Sequence, residues 1–210
     1  GIPFCLPIVD DPQMLPAMFS RIHGIMLIGG DDYYPGHYGG HEQPESDLMP
    51  KRRDNFDMEL AAVVLQKTDL PVLGICGGHQ LISIIQGGKL IQDIAMEWKV
   101  PVGLAVLLHS KRDRRGAQVR RYLHTVTVMP GSLAASVTGV GNECSIEANS
   151  THHQAVHPDC PGTDLRASAW TADGIVEALE PTAGSAWANE GRFILGVQWH
   201  PEQMQHSIHH

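Results

Sequence analysis

Four cysteines, at positions 5, 76, 144 and 160, are too few and too scattered for the common cysteine architectures. There is no C-x-x-C pair and no clustered His/Cys spacing, so neither a disulfide scaffold nor a zinc-stapled module is indicated. Reduced thiols and a cytoplasmic setting are expected. Long apolar runs are also missing: no segment approaches the roughly 18 residues of a membrane span, and none looks like a signal peptide. The first residue is Gly1 rather than methionine, which leaves a trimmed targeting segment open. Basic charge is scarce, with 15 Lys and Arg against 23 Asp and Glu, a net charge of −8. That balance argues against a nucleic-acid surface and favours a small-molecule substrate. One local exception is the run Lys111-Arg112-Asp113-Arg114-Arg115, with Arg120 and Arg121 beyond it. A solvated loop is the favoured reading of this run, and a phosphate or polyanion contact is the alternative. Internal repeats and low-complexity tracts are absent. With 42% hydrophobic and only 18% charged residues, the 210-residue chain reads as one well-cored domain over 1–210.

The most informative stretch is Pro71-Val72-Leu73-Gly74-Ile75-Cys76-Gly77-Gly78-His79-Gln80, followed by Leu81 to Ile85. It reads as a short buried strand, a glycine-flanked cysteine and an apolar helix. Glycines at 74, 77 and 78 suit a sharp turn in which the cysteine backbone is strained and its neighbours must not crowd it. The pattern is a cysteine version of the G-x-S-x-G nucleophile turn. A thiol at a helix N-terminus faces unpaired N–H groups and the positive end of the dipole, so the Cys76 pKa is expected to fall. Taken alone, the stretch equally admits Cys76 as a small buried hydrophobe.

A second stretch, Phe193-Ile194-Leu195-Gly196-Val197-Gln198-Trp199-His200-Pro201-Glu202, favours the nucleophile. An apolar strand runs into His-Pro-Glu, and the proline keeps the chain extended, so His200 and Glu202 project to the same side. A thiol, an imidazole and a carboxylate together make the nucleophile, base and orienting group that acyl transfer requires.

The pair G-I-C-G-G-H-Q and G-V-Q-W-H-P-E resembles the class I glutamine amidotransferase superfamily, and that resemblance makes Cys76, His200 and Glu202 the catalytic triad. Two further segments narrow it. Leu27-Ile28-Gly29-Gly30-Asp31-Asp32, with Pro35 and Tyr38-Gly39, and Asn149-Ser150-Thr151-His152-His153-Gln154-Ala155 resemble γ-glutamyl-γ-aminobutyrate hydrolases and their relatives, the peptidase C26 family. A Gly-Gly turn at a strand's carboxyl end presents bare N–H groups, so Gly30 and Gly77 are the expected oxyanion donors, with a plain structural turn as the alternative. By the same resemblance, Gly29, Gln80, Ser150, His152, His153 and Gln154 are candidate substrate contacts. With no carboxylate near the two adjacent histidines, a metal site there is not expected, and ordinary hydrogen-bonded histidines remain the alternative.

The remaining elements follow from local pattern. Gly1 to Ile8 and Gly24 to Ile28 read as strands, the latter fully buried, and Asp11 to Ser20 as a short helix begun by Pro12. Arg53 to Leu60 opens a helix with Asp54 as N-cap and Phe56, Leu60, Val63 and Val64 on its buried stripe. Leu104 to Leu108 is strand-like, and His124 to Val128 is a half-exposed strand. Leu165 to Trp170 and Ile175 to Leu179 form a hairpin, and Pro181 to Glu190 is a loop. The resemblance implies a three-layer α/β sandwich, flavodoxin-like, with a mostly parallel sheet whose strand ends carry the site. Within it Gly1-Ile2-Pro3 aligns with a second strand, so the first strand and helix of such domains have no counterpart in these 210 residues. The implied activity is hydrolysis of γ-glutamyl amides, of the kind used in polyamine catabolism, without metal or organic cofactor. A glutaminase subunit feeding ammonia to a synthase is the alternative, and a silent binding protein would be expected to lose a triad member. The implied partner is a small γ-glutamyl molecule, with a homodimer left open and neither nucleic acid nor membrane involved.

Overall fold

The computed structural model describes residues 1–43, 46–100, 109, 122–140 and 144–204. In chain order the first half contains α1 (Leu15–Phe19), β1 (Ile25–Leu27), α2 (Lys51–Lys67), β2 (Val72–Ile75), α3 (Gly77–Ile85), β3 (Leu90–Ile91) and α4 (Ile94–Glu97). The second half contains β4 (Tyr122–Val128), α5 (Leu133–Thr138), β5 (Ser145–Ser150), β6 (Ala155–Val156), β7 (Leu165–Thr171), β8 (Val176–Pro181), α6 (Ala186–Asn189) and β9 (Ile194–Val197). The strand-like reading of Leu104 to Leu108 and the basic run lie outside the described residues.

Seven strands form one sheet in the order β1-β2-β9-β8-β7-β4-β5, and β3 pairs with β6 separately. β1, β2 and β9 are mutually parallel, with Ile75 opposite Val197. The other four pairings of the large sheet are antiparallel. Because the antiparallel steps alternate, β7 and β5 again run with β9, so five of the seven strands share one direction. The flavodoxin-like parallel part is thus the three-stranded end, and it is this end that holds Cys76 and His200 at its carboxyl side.

Strand alternation explains the layers. Val72 and Ile194 join the cluster built with α2 and α3, while Ile75, Leu195 and Val197 join the cluster that includes Ala134 of α5. Between these, Gly74 and Gly196 point at α3. A Cβ on Gly74 would lie 2.5 Å from the Gly78 carbonyl oxygen, and one on Gly196 would lie 2.8 Å from His79 Nδ1. On the helix side, a Cβ on Gly78 would lie 2.0 Å from Leu27 O. Missing side chains on both surfaces let the first turn of α3 sit directly on the sheet.

Four expectations are corrected. Gly1 to Ile8 forms no strand, being irregular and mostly exposed. The strand at Ile25–Leu27 is buried on one face only: Ile25 and Leu27 are covered, but Met26 is 59% exposed, as befits a strand at the end of the sheet order. Helix α2 begins at Lys51 after Pro50, three residues before the proposed cap, and has no side-chain cap. Asp54 instead lies buried inside the first turn, where its carboxylate accepts the Tyr34 N–H at 3.1 Å and pairs with His37 Nε2 at 2.7 Å. An acid that looked like a local cap is a tertiary tie to the chain beyond the Gly29-Gly30 turn. The loop read over Pro181 to Glu190 also contains the short α6, capped by Ser185.

Candidate active site

Strand β2 passes into α3 with Cys76 as the single residue between them. Its dihedrals, φ 53° and ψ −108°, fall where a residue with a Cβ is strained by roughly 1–3 kcal/mol. The Cys76 N–H is held by Val197 O at 2.8 Å, which ties the turn to β9.

The thiol's acidity does not follow the helix-terminus expectation. Desolvation dominates and the carboxylates of Glu177 and Glu202 add to it, pushing the pKa up to about 11 despite the opposing Gly77 N–H and Gln198 amide. Cys76 therefore rests as a thiol and would need a base to act as a nucleophile. Such a pKa leaves a thiolate fraction on the order of 10⁻⁴ at pH 7, so iodoacetamide should modify Cys76 slowly there and faster with each pH unit up to about 11. Mass-spectrometric rates for the Cys76 peptide check this, and a plateau below pH 8 would contradict it.

From the neighbouring strand end, His200 donates Nδ1–H to Glu202 Oε1 at 2.6 Å, a short charge-assisted bond. Burial, the largest single effect, pushes the Glu202 carboxyl up, but the His200 hydrogen bond and charge, its own backbone N–H and the Gln203 amide together hold it below the ordinary carboxylate range. With Nδ1 committed, Nε2 is the ring atom left for chemistry. Among the described residues the thiol receives one side-chain hydrogen bond, from Gln198 Nε2 at 3.6 Å, and none from His200.

The Gly29-Gly30 turn lies against the nucleophile turn. A Cβ on Gly77 would sit 3.4 Å from the Gly30 nitrogen, and one on Gly29 would sit 3.1 Å from the Cys76 Cβ. The Gly30 N–H has no acceptor among the described residues. The Gly29-Gly30 turn thus packs directly on the Cys76-Gly77 turn.

The residues proposed as substrate contacts separate into two groups. Gln80 is buried and its amide is engaged, donating to Gln154 O and to Gln198 Oε1, each at 3.2 Å. That second bond orients the Gln198 amide so that its N–H₂ faces the Cys76 sulfur. Ser150, fully buried, donates to His109 O at 2.7 Å, and buried Gln154 donates to Gln92 O at 3.2 Å. His152 is buried as well, its Nδ1–H donating to Gln154 O at 2.8 Å. Among these side chains only His153 is part-exposed: its Nε2–H donates to Asp32 Oδ1 at 2.9 Å, and that bond is the largest of several effects raising its pKa. The histidine pair is, moreover, surrounded by carboxylates, with Asp32 and Asp93 near His153 and Glu177 near His152. The expectation that no acid lies nearby is corrected, because these acids come from three separate parts of the chain.

Sequence reasoning missed two contributors. Asn149 at the end of β5 brackets the histidine backbone, accepting the His200 N–H and donating to His200 O, both at 2.8 Å. Gln198 was visible within the His-Pro-Glu motif, but nothing local marked its amide as the thiol's neighbour.

No helix among the described residues is long and apolar enough to cross a membrane. Comparison with known proteins adds the family. The peptidase C26 family model matches residues 1–202. The chain is 30% identical over 206 residues to the γ-glutamyl-γ-aminobutyrate hydrolase PuuD of Escherichia coli K12, covering 96% of this chain and 73% of that protein. It is 29% identical over 231 residues to a glutamine amidotransferase-like protein of Rickettsia prowazekii, covering 97% and 78%. In fold it is similar to the glutaminase domain of Trypanosoma brucei CTPS, solved with bound acivicin, with a TM-score of 0.56 at 18% identity over 94% of this chain and 73% of that one. By the extent of the family match and by these relatives, the chain belongs to the peptidase C26 family.

Proposed function

We propose that the protein is a cysteine hydrolase of γ-glutamyl amides that works through a γ-glutamyl thioester on Cys76. The observation that carries this reading is the strained Cys76 turn and the His200–Glu202 pair at the carboxyl ends of adjacent parallel strands. In the reaction, His200 Nε2 takes the thiol proton as the sulfur attacks the γ-carbonyl carbon, and the oxyanion accepts the N–H groups of Gly30 and Gly77. His200 then gives that proton to the leaving amine as the C–N bond breaks, leaving the thioester. Water, deprotonated by His200, attacks the thioester; the sulfur leaves and is reprotonated, and glutamate departs. Glu202 holds the ring's tautomer and stabilises its charged form. Of the candidate contacts, Gly29, which packs on Cys76, and the part-exposed His153 are the ones offered to substrate; Gln80, Ser150, His152 and Gln154 are buried and hydrogen-bonded within the protein.

Relatives named as hydrolase and as glutamine amidotransferase-like define the choice to be tested. Purified protein, without any partner, is expected to release glutamate from γ-glutamyl-γ-aminobutyrate at a kcat/KM at least about 10-fold above that for glutamine, a preference worth about 1.4 kcal/mol. Inertness towards every γ-glutamyl amide, with glutaminase activity gained on adding a synthase, would replace the stand-alone hydrolase by the ammonia-supplying subunit.

A further inference from the structure

Behind the nucleophile turn, in the interior of the large sheet, the fully buried Glu177 of β8 carries a carboxylate with no hydrogen-bond partner for either oxygen among the described residues. Burying an ionised carboxylate in this way costs several kcal/mol unless a cation compensates it. Three buried imidazoles face it. His124 Nε2 of β4 stands 3.3 Å from Glu177 Oε1, His152 Nε2 3.5 Å, and His109 Nδ1 3.8 Å. These separations exceed the roughly 2.7–2.9 Å of a charge-assisted N–H···O bond. None of the three nitrogens makes a hydrogen bond among the described residues.

The far sides of two rings show which nitrogens are bare. His109 pairs through Nε2 with Asp173 Oδ2 at 3.0 Å, and His152 donates Nδ1–H to Gln154 O at 2.8 Å. With the outer N–H given to these acceptors, each ring in its neutral form turns the lone pair of its other nitrogen towards the Glu177 oxygen. A carboxylate or backbone carbonyl that takes the outer N–H is the usual arrangement behind a metal-bound histidine. Lone pairs converging on a carboxylate repel one another unless something positive lies between them. The spacing suits an ion: tetrahedral ligands at the 2.0–2.1 Å of zinc bonds are about 3.3–3.4 Å apart. The donor atoms of His109, His124 and Glu177 all lie within 4.8 Å of one another.

We propose that His109, His124 and Glu177, with His152 at the fourth position, bind one divalent transition cation of the zinc type. Imidazole nitrogens with a single carboxylate oxygen suit zinc and disfavour calcium and magnesium, which take oxygen-rich shells. The ion is structural. It joins β4, β8 and the segment from Ser150 to Gln154 behind the site, and no step at Cys76 passes through it.

The test uses the full chain, stripped with a chelator and titrated with Zn²⁺ alone against a chromogenic competitor. One zinc per chain is expected. Glu177→Gln and His124→Ala should each weaken binding by about 100-fold or more, with folding checked by circular dichroism. Binding should survive Cys76→Ala and substitution of His206, His209 and His210 together, which removes two competing places for zinc. If the core variants fail to fold, cobalt in the unaltered protein decides: intense tetrahedral d–d bands without thiolate charge transfer support the site. Absence of stoichiometric zinc, a thiolate charge-transfer band, or loss of the ion with Cys76 or with the tail histidines would overturn it.

Discussion

Cys76→Ala is expected to lower kcat for γ-glutamyl amide hydrolysis by about 10⁴-fold or more, with secondary structure and unfolding midpoint retained. The alanine keeps a Cβ in the strained turn and removes only the sulfur, so the oxyanion donors remain but no acyl group can be carried. His200→Ala should cost a comparable factor at neutral pH, since residues that act as a unit fail as a unit. The two variants should part as pH rises. The Cys76 thiol is neutral up to about pH 11, so an enzyme without its base gains thiolate with each pH unit below that value and recovers activity in proportion. Cys76→Ala has nothing to ionise and should stay inactive throughout. Equal pH profiles for the two variants would remove His200 from its role as the base.

Gly78→Ala is expected to destabilise the fold by about 3 kcal/mol or more, read from urea unfolding. The added Cβ would stand 2.0 Å from Leu27 O and 2.5 Å from Leu27 C, both backbone atoms of β1, so either α3 lifts from the sheet or β1 moves. Nothing flexible is available to give way. Gly30→Ala is the matched control: its Cβ meets no atom within 4 Å and its φ is not positive, so stability should hardly change. An unchanged midpoint in Gly78→Ala would mean that the close seating of α3 on the sheet is not needed for folding.

The contrast between these glycines shows what sequence could and could not reveal. Gly74, Gly77 and Gly78 were legible as a tight turn, because a strand, a cysteine and an apolar helix follow one another without a gap. The pairing of His200 with Glu202 was legible for a similar reason, with both residues on one short extended segment. What was not legible depends on strand order. Asn149 reaches the His200 backbone from 51 positions away, and Glu177 meets His109, His124 and His152 only because β8, β7, β4 and β5 lie side by side.

Local rules also erred where tertiary surroundings reversed their sign. The helix-terminus rule lowers a thiol pKa, yet desolvation and two carboxylates from distant segments raise that of Cys76. The capping rule placed Asp54 at a helix start, but its acceptors are engaged by Tyr34 and His37 inside a helix that begins at Lys51. In both cases the residue sits near a helix start, at the β2–α3 turn or in the first turn of α2. Its energetic role was set by groups that sequence proximity does not disclose.

The chemistry at Cys76 is tested most directly by trapping its acyl group. A γ-glutamyl anilide has a good leaving group, which makes release of the acyl enzyme the slow step, so acid quenching during turnover should capture it. Peptide mass spectrometry is then expected to find one γ-glutamyl group on the peptide that carries Cys76, absent in Cys76→Ala and removed by hydroxylamine. Steady turnover with no adduct on that peptide, or with the adduct on Cys5, Cys144 or Cys160, would contradict a Cys76 thioester.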